Sequence, residues 1–398
     1  MPVVSGVSLD TLYIEIDRLL TERERAWPER VEPNWGDLSR RIGTLETVLR
    51  ERARGGGAPS PSAEALACAD GLVDSPVFVL GFNGSGTTLL NRLLDGHPDL
   101  TVIPVETKHF VRHLPSLRGL DRTAQEDLTF GRWLHWLINP FGKTPFWILG
   151  RPWEGEGDPY ERFAGCFYSL AERYRGRDLL GVVAAAIAAS ELDELRIDRA
   201  PRLWAEKTPK NELRIGELLA AYPRARFLHV IRDPRSTVAS RLARPKEDPW
   251  TTVLELRLSL LAALRNSREL GPNRYLLVRY EDLVSDPPGV MQRVAAFLGI
   301  EFDDGLLVPT TYGTPFAANS AWDERRVTGA IHRLSVETWR EHLDPESLEL
   351  LLAYTAVPGR ELGYDLNQPT ARSARIRAAK RVTHVLRRLR DAPSGLAG

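Results

Sequence analysis

Residues Gly81 to Thr88, GFNGSGTT, follow the apolar run PVFVL and lead straight into the helical pattern TTLLNRLL. A strand, a glycine turn and a helix start put several unpaired backbone N–H groups at the positive end of a helix dipole, where a phosphate is held. A loop that cradles a triphosphate reads GxxxxGK[ST], with the lysine neutralising the β and γ phosphates and the hydroxyl on magnesium. Here the spacing from Gly81 to Gly86 is kept, but Thr87 stands at the lysine position. A single phosphate held by N–H groups and two hydroxyls fits this loop; a polyphosphate with magnesium does not. A second anion anchor is HVIRDPRSTVASRL, in which an apolar strand ends at Arg232 and Pro234 opens a helix. Ser240 falls about two turns into that helix, so both polar heads can meet one phosphate. An arginine where a magnesium-dependent kinase carries a carboxylate points to anion capture.

The elements that must position these groups follow from the hydrophobic pattern. From Ser75 onward, short apolar runs alternate with helical stretches, which argues for an α/β fold whose central parallel sheet is covered on both faces, a three-layer sandwich. The strand candidates are 76–81, 100–104, 226–231 and 274–279. Sites in such sheets lie at the carboxyl ends of the strands. Residues 9–54 carry helical periodicity and close on RGGGAPSPS. The expected division is a helical N-terminal extension and flexible link over 1–74, the main domain over 75–369, and a basic helix or tail over 370–398. Between Phe130 and Tyr168 the chain gathers eleven Phe, Trp and Tyr residues, which suit either a packed insertion of helices or one wall of an acceptor cleft.

Taken together these stretches resemble the sulfotransferase family, in its bacterial form, that uses 3′-phosphoadenosine 5′-phosphosulfate as donor. The resemblance runs from about Ser75 to Pro345 and extends through WAEKTPKN (204–211), YEDLVSDPPGVMQRVAAFLGI (280–300) and TWREHLDPE (338–346), in the family's order. It implies the P-loop-like sulfotransferase fold. It also implies that Asn83, Gly84, Ser85, Gly86, Thr87 and Thr88 hold the 5′-phosphosulfate while Arg232 and Ser240 hold the 3′-phosphate, with adenosine 3′,5′-bisphosphate as product. No metal is required, because less charge gathers on a monophosphate than on a triphosphate. Tyr280, Trp339 and Arg326 fall in segments that contact the nucleotide in the family.

Sulfuryl transfer needs in-line geometry, charge stabilisation and one group to take the acceptor proton. The family's common base, a glutamate after a His-Pro pair, corresponds here to Glu106 in HPDLTVIPVETKHF, with His109 in reserve. A carboxylate serves as a base where burial raises its pKa toward the working pH. Many family members place Lys or Arg immediately before the Ser-Gly-Thr-Thr; this chain has Gly84 there. Lys207 of EKTP is the expected substitute, followed by Lys108 and Lys210.

Composition bounds the partners. Lys plus Arg and Asp plus Glu both total 53, for a net charge of zero, and this balance offers no footprint for nucleic acid. Cys68 and Cys166 lack metal or disulfide spacing and are expected as buried thiols in a reducing compartment. The N-terminus has no secretory pattern, and the longest apolar stretch, from Leu179, is too short to span a bilayer, so a soluble cytoplasmic protein is expected. Residues 371–390 carry eight Lys or Arg and no acid, with Ile376, Val382, Leu386 and Leu389 on one helical face. They suit a peripheral membrane contact or a homodimer. The expected activity is O-sulfation of a small-molecule, carbohydrate or lipid-linked acceptor. The alternatives are a nucleotide-binding homologue without catalysis and, on the loop spacing alone, a P-loop kinase or nucleoside-triphosphatase.

Overall fold

The computed structural model describes residues 35–103, 105–138, 159–193, 197–244, 247–311, 313–316, 329–331 and 339–366. Its sheet has five parallel strands: β1 (Pro76–Leu80), β2 (Leu100–Val102), β3 (Leu203–Lys207), β4 (Arg226–Ile231) and β5 (Tyr275–Arg279). Their spatial order is β2-β3-β1-β4-β5. The chain leaves β1 toward β2 and later returns past it to β4, so the strand order reverses at β1, where ligands bind in open α/β sheets.

Around the sheet lie α1 (Trp35–Arg54), α2 (Ala63–Leu72), α3 (Thr87–Leu94), α4 (Leu114–Leu117), α5 (Arg122–Ile138), α6 (Pro159–Arg173) and α7 (Leu179–Asp193). They are followed by α8 (Ile215–Ala221), α9 (Pro234–Leu242), α10 (Pro249–Leu270), α11 (Tyr280–Ser285), α12 (Pro287–Leu298), α13 (Trp339–His342) and α14 (Pro345–Glu361). Alternation along β1 divides the core: Phe78 and Leu80 join one cluster, Val77 and Val79 another. Phe78 lies among Phe110, Trp204, Tyr222 and Phe227, with ring centroids 5.7–6.1 Å away. The opposite face packs Leu90 and Leu93 of α3 with Leu283, Met291 and Val294 of α11 and α12. Helix α7 is buried almost all round, and among the described residues no helix is long and apolar enough to cross a membrane. Cys68 and Cys166 are both buried and form no disulfide.

The four expected strands are present, and β3 is an addition. LWAEK ends in two charged residues and does not read as a buried strand, yet both are covered. The helices before Ser75 share the main core: Ile42, Leu45 and Leu49 of α1 and Ala65, Cys68 and Leu72 of α2 pack in the cluster that holds Phe78, Phe163 and Trp204. The glycine-rich link between them is not a free tether. Gly57 N–H bonds to the Arg52 carbonyl at 2.8 Å. The Pro59 carbonyl sits so close to Gly165 that a Cβ there would come within 2.0 Å. In the aromatic segment Phe130 stacks on Phe163 at 6.1 Å and meets Tyr168 at a tilt at 5.2 Å, so these rings pack α5 against α6. Residues 139–158 and the basic stretch 371–390 lie outside the described residues, as does the expected boundary at 369/370.

Replacing Leu45 by Ala removes a fully buried side chain from this shared core, and is expected to lower the free energy of global unfolding by about 2–5 kcal/mol in urea titration. An extension that folded separately would leave the main transition unmoved. His229, enclosed on β4 against Tyr275, has its pKa pushed down by burial to about 3 from 6.5. The imidazole is therefore neutral in the fold, and its contribution is fully present above pH 6.5 and lost as pH falls toward 3. At roughly 1.4 kcal/mol per unit, wild type should lose about 2–3 kcal/mol more than His229→Gln between pH 7 and pH 4.5, read by urea unfolding at each pH.

Candidate active site

The glycine loop joins β1 to α3 by a path that only glycine takes easily. Gly84 has φ 91° and Gly86, which caps α3, has φ 101°. Any side chain at Gly84 would be strained there, a physical reason for the absence of a cation at that position. Gly86 is constrained by space as well: a Cβ would fall 2.3 Å from the Tyr280 ring. Tyr280, at the start of α11, also lies 4.5 Å from the Arg232 guanidinium. Arg232 Nη1 donates to the Gly84 carbonyl at 2.9 Å. Burial pulls the Arg232 pKa below the usual guanidinium value, against Tyr280, Glu281 and Asp233, which hold it up.

Ser240 closes the same corner, with Oγ 3.6 Å from where a Gly84 Cβ would stand. The two anion anchors separated by about 150 residues of sequence thus meet between β1 and β4. Ser85 Oγ is buried and has no hydrogen-bond partner among the described residues, while Asn83, Gly84, Thr88 and Ser240 are half-buried. An unsatisfied hydroxyl under a partly open loop fits a bound anion, which would supply the missing partner.

A second cluster forms at the end of β3. Lys207 Nζ reaches Glu106 Oε1 at 2.7 Å and Thr88 Oγ1 at 3.3 Å. The Lys207 side chain is 10% exposed and that of Glu106 is 35% exposed, so the carboxylate is the partner open to solvent. The three residues come from the end of β3, the segment after β2 and the first turn of α3. They join a prospective base to the phosphate loop through one ammonium.

The remaining candidates separate from this pair. His109 is buried, with Nε2 3.0 Å from Asp178 Oδ2; Asp178 also accepts from Tyr222 at 2.8 Å and from the Leu180 N–H at 3.0 Å. These contacts tie the ring into the cluster beneath α7. Lys210 pairs with Glu255 at 2.6 Å, and Lys108 is exposed in a left-handed backbone conformation. Trp339 is buried under Arg235, 4.5 Å away. Arg326 lies outside the described residues.

Two glutamates had no role in the sequence reading. Glu281 accepts from the Asp233 N–H at 2.9 Å and from the Tyr364 hydroxyl at 3.1 Å, which ties the Arg232 turn to the chain after α14. Glu206 is fully buried and hydrogen-bonded to Thr107, Thr208 and Asn211. Glu281 directly follows Tyr280 in YEDL, a stretch already singled out in the sequence, and that adjacency was its signal. The alternation of β3 would have placed Glu206 on the opposite sheet face from Lys207.

Comparison with known proteins gives a consistent result. Residues 76–304, more than half of the chain, match the sulfotransferase family, and residues 262–360 match a sulfotransferase domain. The nodulation protein NoeE of Sinorhizobium fredii is 26% identical over 78% of this chain and 71% of its own. The omega-hydroxy-beta-dihydromenaquinone-9 sulfotransferase Stf3 of Mycobacterium bovis is 33% identical over 58% of this chain and 64% of its own. Among solved structures, the sulfotransferase domain of the Synechococcus olefin synthase covers 74% of this chain and 96% of its own at 24% identity, with a TM-score of 0.45.

Gly86→Ala is expected to lower stability by about 1–3 kcal/mol, since its methyl collides with Tyr280. Adding Tyr280→Ala should restore part of that loss relative to Tyr280→Ala alone. A thermal-unfolding double-mutant cycle measures the coupling, and strict additivity would mean that the two residues are not in contact.

Proposed function

The chain belongs to the sulfotransferase family, and we propose that it transfers a sulfuryl group from 3′-phosphoadenosine 5′-phosphosulfate to an acceptor hydroxyl, with Glu106 as general base. The observation that carries this reading is the line Thr88–Lys207–Glu106, which joins the anion loop to a solvent-reaching carboxylate. The donor supplies an activated sulfuryl group on a monophosphate, with a second phosphate on the ribose. The loop N–H groups with Ser85, Thr87 and Thr88 suit the first phosphate, and Arg232 with Ser240 suits the second. Tyr280 holds the two anchors together. Lys207 provides, from β3, the positive charge that Gly84 does not.

Glu106 Oε1 is occupied by the Lys207 ammonium at 2.7 Å. Lys207 shifting toward an anion on the loop would release Glu106 to take the acceptor proton, which couples donor binding to activation of the base. For the acceptor, the mycobacterial relative's name specifies an ω-hydroxylated dihydromenaquinone. That precedent and the basic, amphipathic composition of 371–390 favour a lipid-linked hydroxyl over a free sugar.

Thermal unfolding with adenosine 3′,5′-bisphosphate, with ATP and magnesium as comparator, tests the donor. At ~100 times its dissociation constant the bisphosphate should add about 2.7 kcal/mol, Arg232→Ala should abolish the effect, and ATP should give none. Stabilisation by ATP instead, or by neither ligand, would defeat the reading. Glu106→Gln is expected to cut turnover by about 10²–10⁴-fold with bisphosphate stabilisation retained. Binding without transfer in wild type, against hydroxylated lipids, sugars and phenols, would identify a non-catalytic homologue.

A further inference from the structure

The ladder between β2 and β3 ends where Ile103 N–H bonds to the Ala205 carbonyl at 2.8 Å. Beyond that point the two segments that carry Glu106 and Lys207 are joined by a buried carboxylate. Glu206 Oε1 accepts from the Thr107 N–H at 3.3 Å, from the Thr107 hydroxyl at 2.8 Å and from the Thr208 hydroxyl; Oε2 accepts from Asn211 Nδ2 at 3.1 Å. Each threonine oxygen is in turn an acceptor. Thr107 Oγ1 receives the His109 N–H at 3.1 Å, and Thr208 Oγ1 receives the Lys108 N–H at 3.0 Å.

A hydroxyl has one proton, and an oxygen that accepts from an amide turns that proton elsewhere, here onto Glu206. All four bonds to this carboxyl are therefore donated to it, a pattern that suits the ionised form. Burial pushes its pKa up, while the threonine donors and the Lys207 charge oppose that shift. Two chain segments are cross-tied as a result: Thr107 and Lys108 on one side, Thr208 and Asn211 on the other.

We propose that Glu206 is a positioning residue that holds the segment after β2 against the end of β3, so that Glu106 meets Lys207 at 2.7 Å. It does not touch the reacting atoms. The inference rests on the reading of Glu106 and Lys207 as the working pair.

Three variants test it: Glu206→Leu removes the tie, Thr107→Val removes one hook of it, and Glu206→Gln conserves most of it. Asn211 Oδ1 has no partner among the described residues, so that amide can turn over and accept from the introduced glutamine. Glu206→Leu and Thr107→Val are expected to lower kcat by on the order of 10- to 100-fold, with stabilisation by adenosine 3′,5′-bisphosphate changed less than about twofold in apparent Kd. Glu206→Gln should stay within a few-fold of wild type. In a Glu106→Gln background Thr107→Val should cost nothing further, because the group it aligns is gone. Full turnover in both disruptive variants, or an undiminished loss in the Glu106→Gln background, overturns the proposal; if Glu206→Leu does not fold, Thr107→Val alone decides.

A readout without turnover separates this inference from the function it rests on. In protein labelled with 13Cε-lysine, the Lys207 signal is identified among six lysines by its loss in Lys207→Arg. It should move in Thr107→Val in the same direction as in Glu106→Gln. A Lys207 signal unmoved by Thr107→Val overturns the anchoring, whereas wild-type turnover by Glu106→Gln defeats the assigned base and leaves the anchoring to be judged by this signal.

Discussion

One ammonium at a buried strand end governs the arrangement of the site. A parallel sheet covered on both faces offers charged groups an exit only where its strands stop, and Lys207 is the last residue of β3. Glu106 at 2.7 Å compensates its charge there, and the Thr88 hydroxyl at 3.3 Å accepts a hydrogen bond from it. Loss of the carboxylate would leave the ammonium, only 10% exposed, enclosed and uncompensated. The reversal of strand order at β1 makes this exit adjacent to the glycine loop, so one cation can face both the carboxylate and the anion site.

The opposite side of the loop is built for rigidity. Arg232 is bonded to the Gly84 carbonyl, Tyr280 lies against Gly86, and Glu281 holds the Asp233 N–H. These contacts hold the loop from the residues that follow β4 and β5. A loop held in this way would lose little conformational freedom on taking up the proposed donor phosphate, so more of that interaction would be retained as affinity. The same rigidity keeps Gly84 in a left-handed conformation that disfavours a lysine or arginine side chain, leaving the cation to come from the neighbouring strand.

Much of this was legible in the residues. The β1–loop–α3 unit, the Arg232 turn and four strands carry strong local signals: apolar runs, glycines at turn positions, and proline at a helix start. The pairing of Glu106 with Lys207 was not legible, because it joins residues about 100 positions apart through a strand whose own sequence disguises it. LWAEK is charged where a buried strand is expected to be apolar, and its glutamate is stable there only because Thr107, Thr208 and Asn211 surround it. The place of α1 and α2 was hidden for a related reason. Periodicity marks an apolar face but does not say what covers it, and GGGAP reads as a tether until Pro59 is seen pressed against Gly165.

That arrangement also shapes how the chain assembles. Arg52 of α1 pairs with Glu161, 109 residues later, and the apolar faces of α1 and α2 are covered by α6 and α7. During synthesis α1 waits for α5 and α6, and α2 waits more than a hundred residues for α7, before their apolar faces are fully covered. Closing so long a loop before its contacts form slows folding and leaves hydrophobic surface open to association in the interim. The N-terminal helices are thus among the first parts of the described core to be made and among the last to be buried.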